Sequence, residues 1–488
     1  MSERELCRKT VSEIGKLYRD REVSVTEVVS AVLRRIESSN ASIGAFSCIR
    51  GEEALSRARQ MDDEGVPENA SMLWGIPVAL KENMCARDFP ATCGSRILEH
   101  FVSPYDGAMS TRLQKAGALL LGTCRMDEFA MGSSSETNAF GSVRNPFDLD
   151  RVPGGSSGGS AAGVAAEMIP AALGSDTGGS IRQPCSFCGA VGLKPTYGLV
   201  SRFGLVAYAS SLDQIGPVTR SVEDAALVLG EIAGHDPRDS TSYPQPPKNW
   251  TENLDRDLAG MKIGVPREYF TRGIAPDVLE CVENARDRFS ELGCEIVEVS
   301  LPHTEYAIAA YYILATAEAS ANLARFDGIR YGSRAPECAD LKEVYLRSRS
   351  AGFGAEVKRR IVLGTFVLSS GYYDAYYRKA QKVRTFVKRD FDDAFQNVDL
   401  LLTPTSPCTA FRFGEKTDDP VSMYLSDIYT VSVNLAGLPA LSVPCGRDRR
   451  GLPVGLQLIA PSLGEERLLN AGHRFEKAAP FSREGLKV

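Results

Sequence analysis

The chain has 488 residues, 43% hydrophobic and 24% charged, a globular composition that excludes wholesale disorder. With 56 basic and 62 acidic residues its net charge is −6, whereas a protein built mainly to grip a phosphate backbone would be basic. No apolar run reaches the ~20 residues that span a bilayer, and residues 1–10 are polar with no apolar signal core, so a cytoplasmic protein is expected.

Thr10 with Glu13 and Ser24 with Glu27 fit the capping box, and Val25, Val28, Val29, Val32, Leu33 and Ile36 then form one helical stripe. Residues 75–80 read as a buried strand ending at Lys81; 109–117 read as a helix and 118–124 as a strand. Between Gly132 and Gly198 the chain is dense in Gly, Ser, Ala and Thr. A stretch from Asp236 to Asp257 with Pro237, Pro244, Pro246 and Pro247 reads as a surface connection. Residues 305–325 and 354–393 read as long helices, 398–403, 440–444 and 453–459 as strands, and 464–477 as a closing helix. The alternation predicts an α/β fold, layered α/β/α, in one unit over 1–488. Within it, N-terminal helices occupy about 1–70, a Gly/Ser/Ala-rich region 75–220 and a helix-rich excursion 303–394, before C-terminal strands and a helix complete the core.

Twelve cysteines at uneven spacings read as reduced thiols. Cys185 and Cys188 form a C-x-x-C pair without a second ligand cluster nearby, which favours packing over zinc or redox chemistry. The segment 154–163 (GGSSGGSAAG) leads into an apolar run, 161–169, that fits a buried helix. A glycine-rich turn opening a helix offers backbone N–H groups to an anion. Ala161 and Ala162 stand where a phosphate loop needs Lys and Ser or Thr, so the NTPase reading falls and an oxyanion site remains. Gly154–Gly158 also matches G-x-S-x-G, but the two prolines in 145–153 are incompatible with the strand that a nucleophile elbow requires.

The second segment, 174–184 (GSDTGGSIRQP), places Ser180 directly after two glycines. Together with Ser156 and Lys81 it resembles the amidase signature family, whose fold has a large mixed central sheet covered by helices on both faces. Stretches 126–133, 192–197, 209–217 and 364–377 are further similar to the glutamine-hydrolysing subunits of tRNA-dependent amidotransferases. Glu82, Cys185 and Leu199 depart from that pattern.

The resemblance implies a Ser–Ser–Lys triad: Ser180 as nucleophile, Ser156 as proton bridge on a cis peptide, and Lys81 as base. Backbone N–H groups of Thr177, Gly178, Gly179 and Ser180 would form the oxyanion hole. Asp427 and Arg360 would hold the α-ammonium and α-carboxylate of glutamine, with Tyr311 lining the pocket. Periodicity leaves open which of Arg359 and Arg360 faces inward. The implied activity is hydrolysis of glutamine (or asparagine), releasing ammonia for a partner that amidates glutamate, or aspartate, on tRNA. No metal or cofactor is expected in this chain. ATP and magnesium would belong to the larger of two partners, the B and C subunits of a heterotrimer. The rival readings are a stand-alone amidase for small amides and a non-catalytic scaffold.

Overall fold

Eleven strands carry the architecture: β1 (Phe46–Ile49), β2 (Pro77–Lys81), β3 (Leu119–Cys124), β4 (Ala171–Asp176), β5 (Val191–Lys194), β6 (Gln214–Thr219), β7 (Lys262–Pro266), β8 (Glu295–Val299), β9 (Leu400–Pro404), β10 (Ala440–Arg447) and β11 (Pro453–Ile459). They come from a computed structural model that describes residues 1–246, 248–270 and 273–487. Among the described residues they form one sheet in the order β1-β3-β2-β4-β6-β5-β10-β11-β9-β7-β8. β2 runs parallel to both β3 and β4, β7 runs parallel to β8 and β9, and the pairs in between are antiparallel, so the sheet is mixed.

Alternation along the strands supplies two cores. Leu400 and Leu402 of β9, with Leu456 and Leu458 of β11, pack into a cluster with the N-terminal helices and the helices Val222–Ile232, Pro276–Glu291 and Glu465–Ala478. Leu401 and Ile459 point the other way, into a cluster with the helices Ala307–Asn322, Ala355–Leu368 and Lys379–Ala394. Helices therefore cover both faces, as the α/β/α expectation requires. Both anticipated capping boxes form, Thr10 with Glu13 and Ser24 with Glu27, and Val25, Val28, Val29, Val32 and Ile36 are buried.

Several boundaries differ from the sequence reading. The region 354–393 is not one helix: it breaks after Leu368, where Gly371 takes a left-handed φ of 89°, and resumes through a π-helical turn, Tyr373–Arg378. The helix after the first glycine cluster spans Gly158–Ala165, starting inside the glycines. The connection 236–257 contains no helix or strand among its described residues, but Trp250 and Leu254 are buried in the first core, so it is pinned down. Pro247 lies outside the described residues. β4, with the sequence AALGSD, escapes a propensity reading because it lacks β-branched residues.

One close helix crossing positions the site. Gly364 of Ala355–Leu368 lies so near Ala307–Asn322 that a methyl group there would overlap the Thr316 carbonyl. Gly364→Ala forces the two helices apart and lowers stability by about 1–3 kcal/mol, the usual cost of overpacking. Urea denaturation measures this, and an unchanged midpoint contradicts the crossing described.

Candidate active site

Lys81 ends β2 between two parallel neighbours and is fully buried. Its Nζ donates to Ser156 Oγ at 2.7 Å, Ser157 Oγ at 2.8 Å and the Ser175 carbonyl at 3.2 Å. Burial lowers its pKa to about 7, although the carboxylates of Asp127, Asp176 and Asp213 pull the other way. A lysine in this state holds a neutral fraction large enough to accept a proton at neutral pH.

The Gly155–Ser156 peptide is cis. Asp127 braces this turn: its N–H donates to the Ser156 carbonyl at 3.2 Å, and its carboxylate accepts from Ser135 N at 2.9 Å and Thr137 Oγ1 at 2.9 Å. The Gly155 N–H donates to Gln183 Oε1 at 3.0 Å, and Ser157 N–H to the Ser180 carbonyl at 3.1 Å. Gly159 N–H likewise goes to the Arg125 carbonyl. Three backbone donors of this glycine-rich turn, those of Gly155, Ser157 and Gly159, are thus taken within the chain.

The second serine loop leaves β4 at Asp176. That carboxylate accepts from Gly179 N–H at 2.8 Å, Ile181 N–H at 3.1 Å and Asn434 Nδ2 at 2.9 Å, and pairs with Arg182 through Nη2 at 2.9 Å and Nε at 3.0 Å. Both ion-pair side chains are wholly buried, and the Arg182 guanidinium holds the Asp176 carboxyl well below its ordinary range. The Gly179 N–H is committed to this knot, which removes it from the four expected oxyanion donors. Thr177, Gly178 and Ser180 N–H have no intrachain acceptor among the described residues. Ser180 is 8% exposed, whereas Lys81 and Ser156 have no exposure at all, so Ser180 is the member of the trio that a substrate can reach. No hydrogen bond joins Ser180 Oγ to Ser156 Oγ among the described residues; the Ser156–Lys81 link is the one already made.

Tyr311 packs on this loop: a methyl group at Gly178 would lie 2.6 Å from its hydroxyl. Arg360 is buried, donating through Nε to Glu356 at 2.8 Å and through Nη1 to Tyr208 OH at 2.7 Å, with its guanidinium against the rings of Tyr208, Tyr312 and Tyr424. Arg359 is half exposed and also paired to Glu356, so of the two arginines Arg360 is the buried one. Asp427 accepts from Ser133 Oγ at 2.5 Å through Oδ2, while its Oδ1 is buried with no partner among the described residues. Burial raises its pKa to about 7. A hollow of about 300 Å³ lies beside Arg360, lined by Ser133, Ser134, Glu356, Arg359, Arg360 and Tyr424 among others, but not by Asp427, Ser156 or Ser180.

Ser157, Asp127, Ser133 and the three tyrosines around Arg360 were missed from the sequence. Ser157 adjoins Ser156 in the motif, and Tyr312 adjoins Tyr311, but adjacency alone does not say which side chain turns inward. Glu82, Cys185 and Leu199 are all buried; Glu82 accepts from Asn138 Nδ2 at 2.9 Å. Cys185 and Cys188 are buried with thiols pushed up by desolvation, and Cys188 Sγ donates to the Pro153 carbonyl at 3.3 Å. Among the described residues no group of three or more His, Cys, Asp or Glu side chains is placed to hold a metal ion. Nor is any helix among them long and apolar enough to cross a membrane.

Residues 27–469 match the Amidase family. The chain belongs to that family. It is 55% identical over 477 residues to the A subunit of the glutamyl-tRNA(Gln) amidotransferase of Caldanaerobacter subterraneus subsp. tengcongensis, covering 98% of each. The crystal structure of the corresponding A subunit from Thermotoga maritima is similar, with 42% identity, TM-score 0.82 and coverage of 99% of this chain and 97% of that one. A peptide amidase from Stenotrophomonas maltophilia has 29% identity and TM-score 0.83, with 99% of each chain covered.

The Asp176–Arg182 pair is the anchor of the nucleophile loop. Asp176→Asn or Arg182→Met strands the other charge in the core and costs about 3–5 kcal/mol at pH 7. Since the Asp176 carboxyl is depressed, its contribution is complete above about pH 4, the unfolded value, and is lost as pH falls through the folded one. Denaturant midpoints of the parent and both variants at pH 7 read the anchor; a neutral substitution at pH 7 contradicts it.

Proposed function

We propose that this chain is the glutamine-hydrolysing subunit of a tRNA-dependent amidotransferase, cleaving glutamine, or asparagine in its place, and passing ammonia to a partner. The observation that carries the substrate class is the pair of charges at the far end of the site. Asp427 offers a buried carboxylate oxygen without a partner, and Arg360 has an Nη2 free of hydrogen bonds among the described residues. An amino acid brings one ammonium and one carboxylate, which match these two groups and no uncharged amide does. Tyr311, on Gly178, joins this end to the loop of Ser180.

In the reaction, neutral Lys81 accepts the Ser156 proton while Ser156 takes that of Ser180, and Ser180 Oγ bonds to the amide carbon. The carbonyl electron pair moves onto oxygen, facing the N–H groups of Thr177, Gly178 and Ser180, each such donor contributing about 3–4 kcal/mol. Collapse breaks the C–N bond, and the proton returns through Ser156 so that ammonia leaves. Water then attacks the acyl-Ser180 ester by the same relay, releasing glutamate.

The amidation half of the reaction falls to the B and C subunits in this proposal, with ATP, magnesium and the aminoacyl-tRNA bound mainly at B. The acidic net charge of this chain and the absence of a phosphate-loop lysine after Gly158 support that division. In the assembled complex, Ser180→Ala abolishes glutamine-driven amidation but leaves amidation from free ammonium intact. Asp427→Ala and Arg360→Ala each cost about 2–5 kcal/mol in kcat/KM for glutamine and far less for propionamide, which lacks both charges. Loss of the ammonium-driven reaction in Ser180→Ala contradicts the division of labour. Equal losses on both amides would instead identify an amidase for uncharged substrates.

A further inference from the structure

Asp213 is a buried carboxylate that the relay does not use, and it touches both ends of the site. Its Oδ1 accepts from Thr177 Oγ1 at 2.7 Å, the first residue of the loop that ends in Ser180. Its Oδ2 accepts from Tyr208 N–H at 2.9 Å and Ala209 N–H at 3.0 Å. Its own N–H donates to the Ala209 carbonyl at 2.9 Å, closing the turn 209–213. Tyr208 is the residue whose hydroxyl takes the 2.7 Å hydrogen bond from Arg360. One carboxylate therefore ties the loop that faces the amide carbonyl to the tyrosine that holds the arginine for the distant carboxylate.

Thr430 Oγ1, donating to the Gly178 carbonyl at 2.6 Å and the Asp427 carbonyl at 3.0 Å, ties the loop to Asp427 rather than to Arg360, and the rings between the loop and Arg360 also pack. Tyr311 lies on Gly178 and Tyr312 stacks on Tyr424 at 3.8 Å between ring centres. Packed rings resist compression, but only hydrogen bonds to a common atom set resist separation as well. Asp213 supplies that tether, and Thr177 reaches it through a hydroxyl rather than through its backbone, so the Thr177 N–H remains free to face the substrate.

We propose that Asp213 is a positioning residue and specificity determinant: through Thr177 and Tyr208 it fixes the spacing between the amide-binding loop and Arg360. It thereby favours an amide whose carboxylate lies one particular distance away. The inference rests on the reading of the site as one for an amino-acid amide. A substrate held at both ends feels every change in that spacing, and a misplacement of ~1 Å costs about a hundred-fold in rate. An uncharged amide held at one end does not.

The charge on Asp213 adds a second signature. The groups facing Lys81 are Asp127, Asp176, Asp213 and the Cys93 thiol, each favouring the protonated lysine. Burial raises the Asp213 carboxyl to about 6, against the hydrogen bonds from Thr177, Ala209 and Tyr208 and the nearby Arg202 cation, so it is charged where Lys81 titrates. Removing the Asp213 charge lets Lys81 lose its proton more readily, so the acid-side fall of kcat/KM moves to lower pH.

The test compares Asp213→Asn, Thr177→Val and Thr177→Ser in the assembled complex, measuring kcat and KM for glutamine, asparagine and propionamide. The ratio of kcat/KM for glutamine to that for propionamide falls about ten- to a hundred-fold in Asp213→Asn and Thr177→Val, and Thr177→Ser, which keeps the hydroxyl, retains it. The acid limb shifts down in Asp213→Asn and stays in place in Thr177→Ser, which keeps both the charge and the hydroxyl that bonds it. Parallel losses on all three amides, or a Thr177→Ser variant as impaired as Thr177→Val, overturn the proposal. Should the parent complex show no preference for glutamine over propionamide, the glutaminase reading fails by itself. The tether is then read from hydrogen exchange at the Tyr208 and Ala209 N–H groups, which Asp213→Asn must speed and Thr177→Ser must spare.

Discussion

The removal of Lys81 from water is the constraint on which the site depends. Full burial can lower a lysine pKa by 3–5 units, and nearby carboxylates raise it again. Here the balance among desolvation, Asp127, Asp176 and Asp213 leaves it at about 7. Fewer carboxylates would make a weaker base, and solvent access would keep the lysine protonated. The packing around it has to be close, and the glycine density of 132–198 makes it so. A side chain at Gly155 would overlap Asp127, and one at Gly178 would meet Tyr311. Glycine-rich sequence, elsewhere a mark of flexible linkers, is here the condition for bringing three loops onto one amine.

Two electrostatic regimes meet in the site. Asp176 and Arg182 are paired, satisfied and structural, and the Asp176 carboxyl, held well below its ordinary range, stays ionised at any working pH. Asp427 lacks such a partner, and burial lifts its carboxyl to about 7, so it gains full charge only when a cation arrives. Arg360 keeps its charge among three tyrosine rings and Glu356. The first pair builds the nucleophile loop; in the second set Arg360 is paired to Glu356 and Asp427 keeps one oxygen without a partner among the described residues.

Much of this was legible in the sequence where the signal is local. Capping boxes name their own partners three residues apart, and Thr10 and Ser24 behave as read. The strand ending at Lys81 and the first serine motif, distant in sequence, meet at one amine, and the full-length likeness to known relatives agrees with the family resemblance. Other features depend on contacts between distant segments. β4 is a strand because β2 and β6 flank it, not because Ala-Ala-Leu-Gly favours one. The side that Arg360 faces is set by Tyr208, 152 positions away. That Gly179 spends its N–H on Asp176 follows from the exact path of the loop, which no spacing rule contains.

The protonation state of Lys81 is the central claim, and titration of isotope-labelled lysine side chains by heteronuclear NMR measures it directly. Lys194 is also buried with a pKa lowered to about 7, so the signals are assigned with Lys81→Met and Lys194→Met variants. The account predicts that the resonance lost in Lys81→Met titrates with a midpoint near 7. A midpoint near the ~10.4 of an exposed lysine would contradict it.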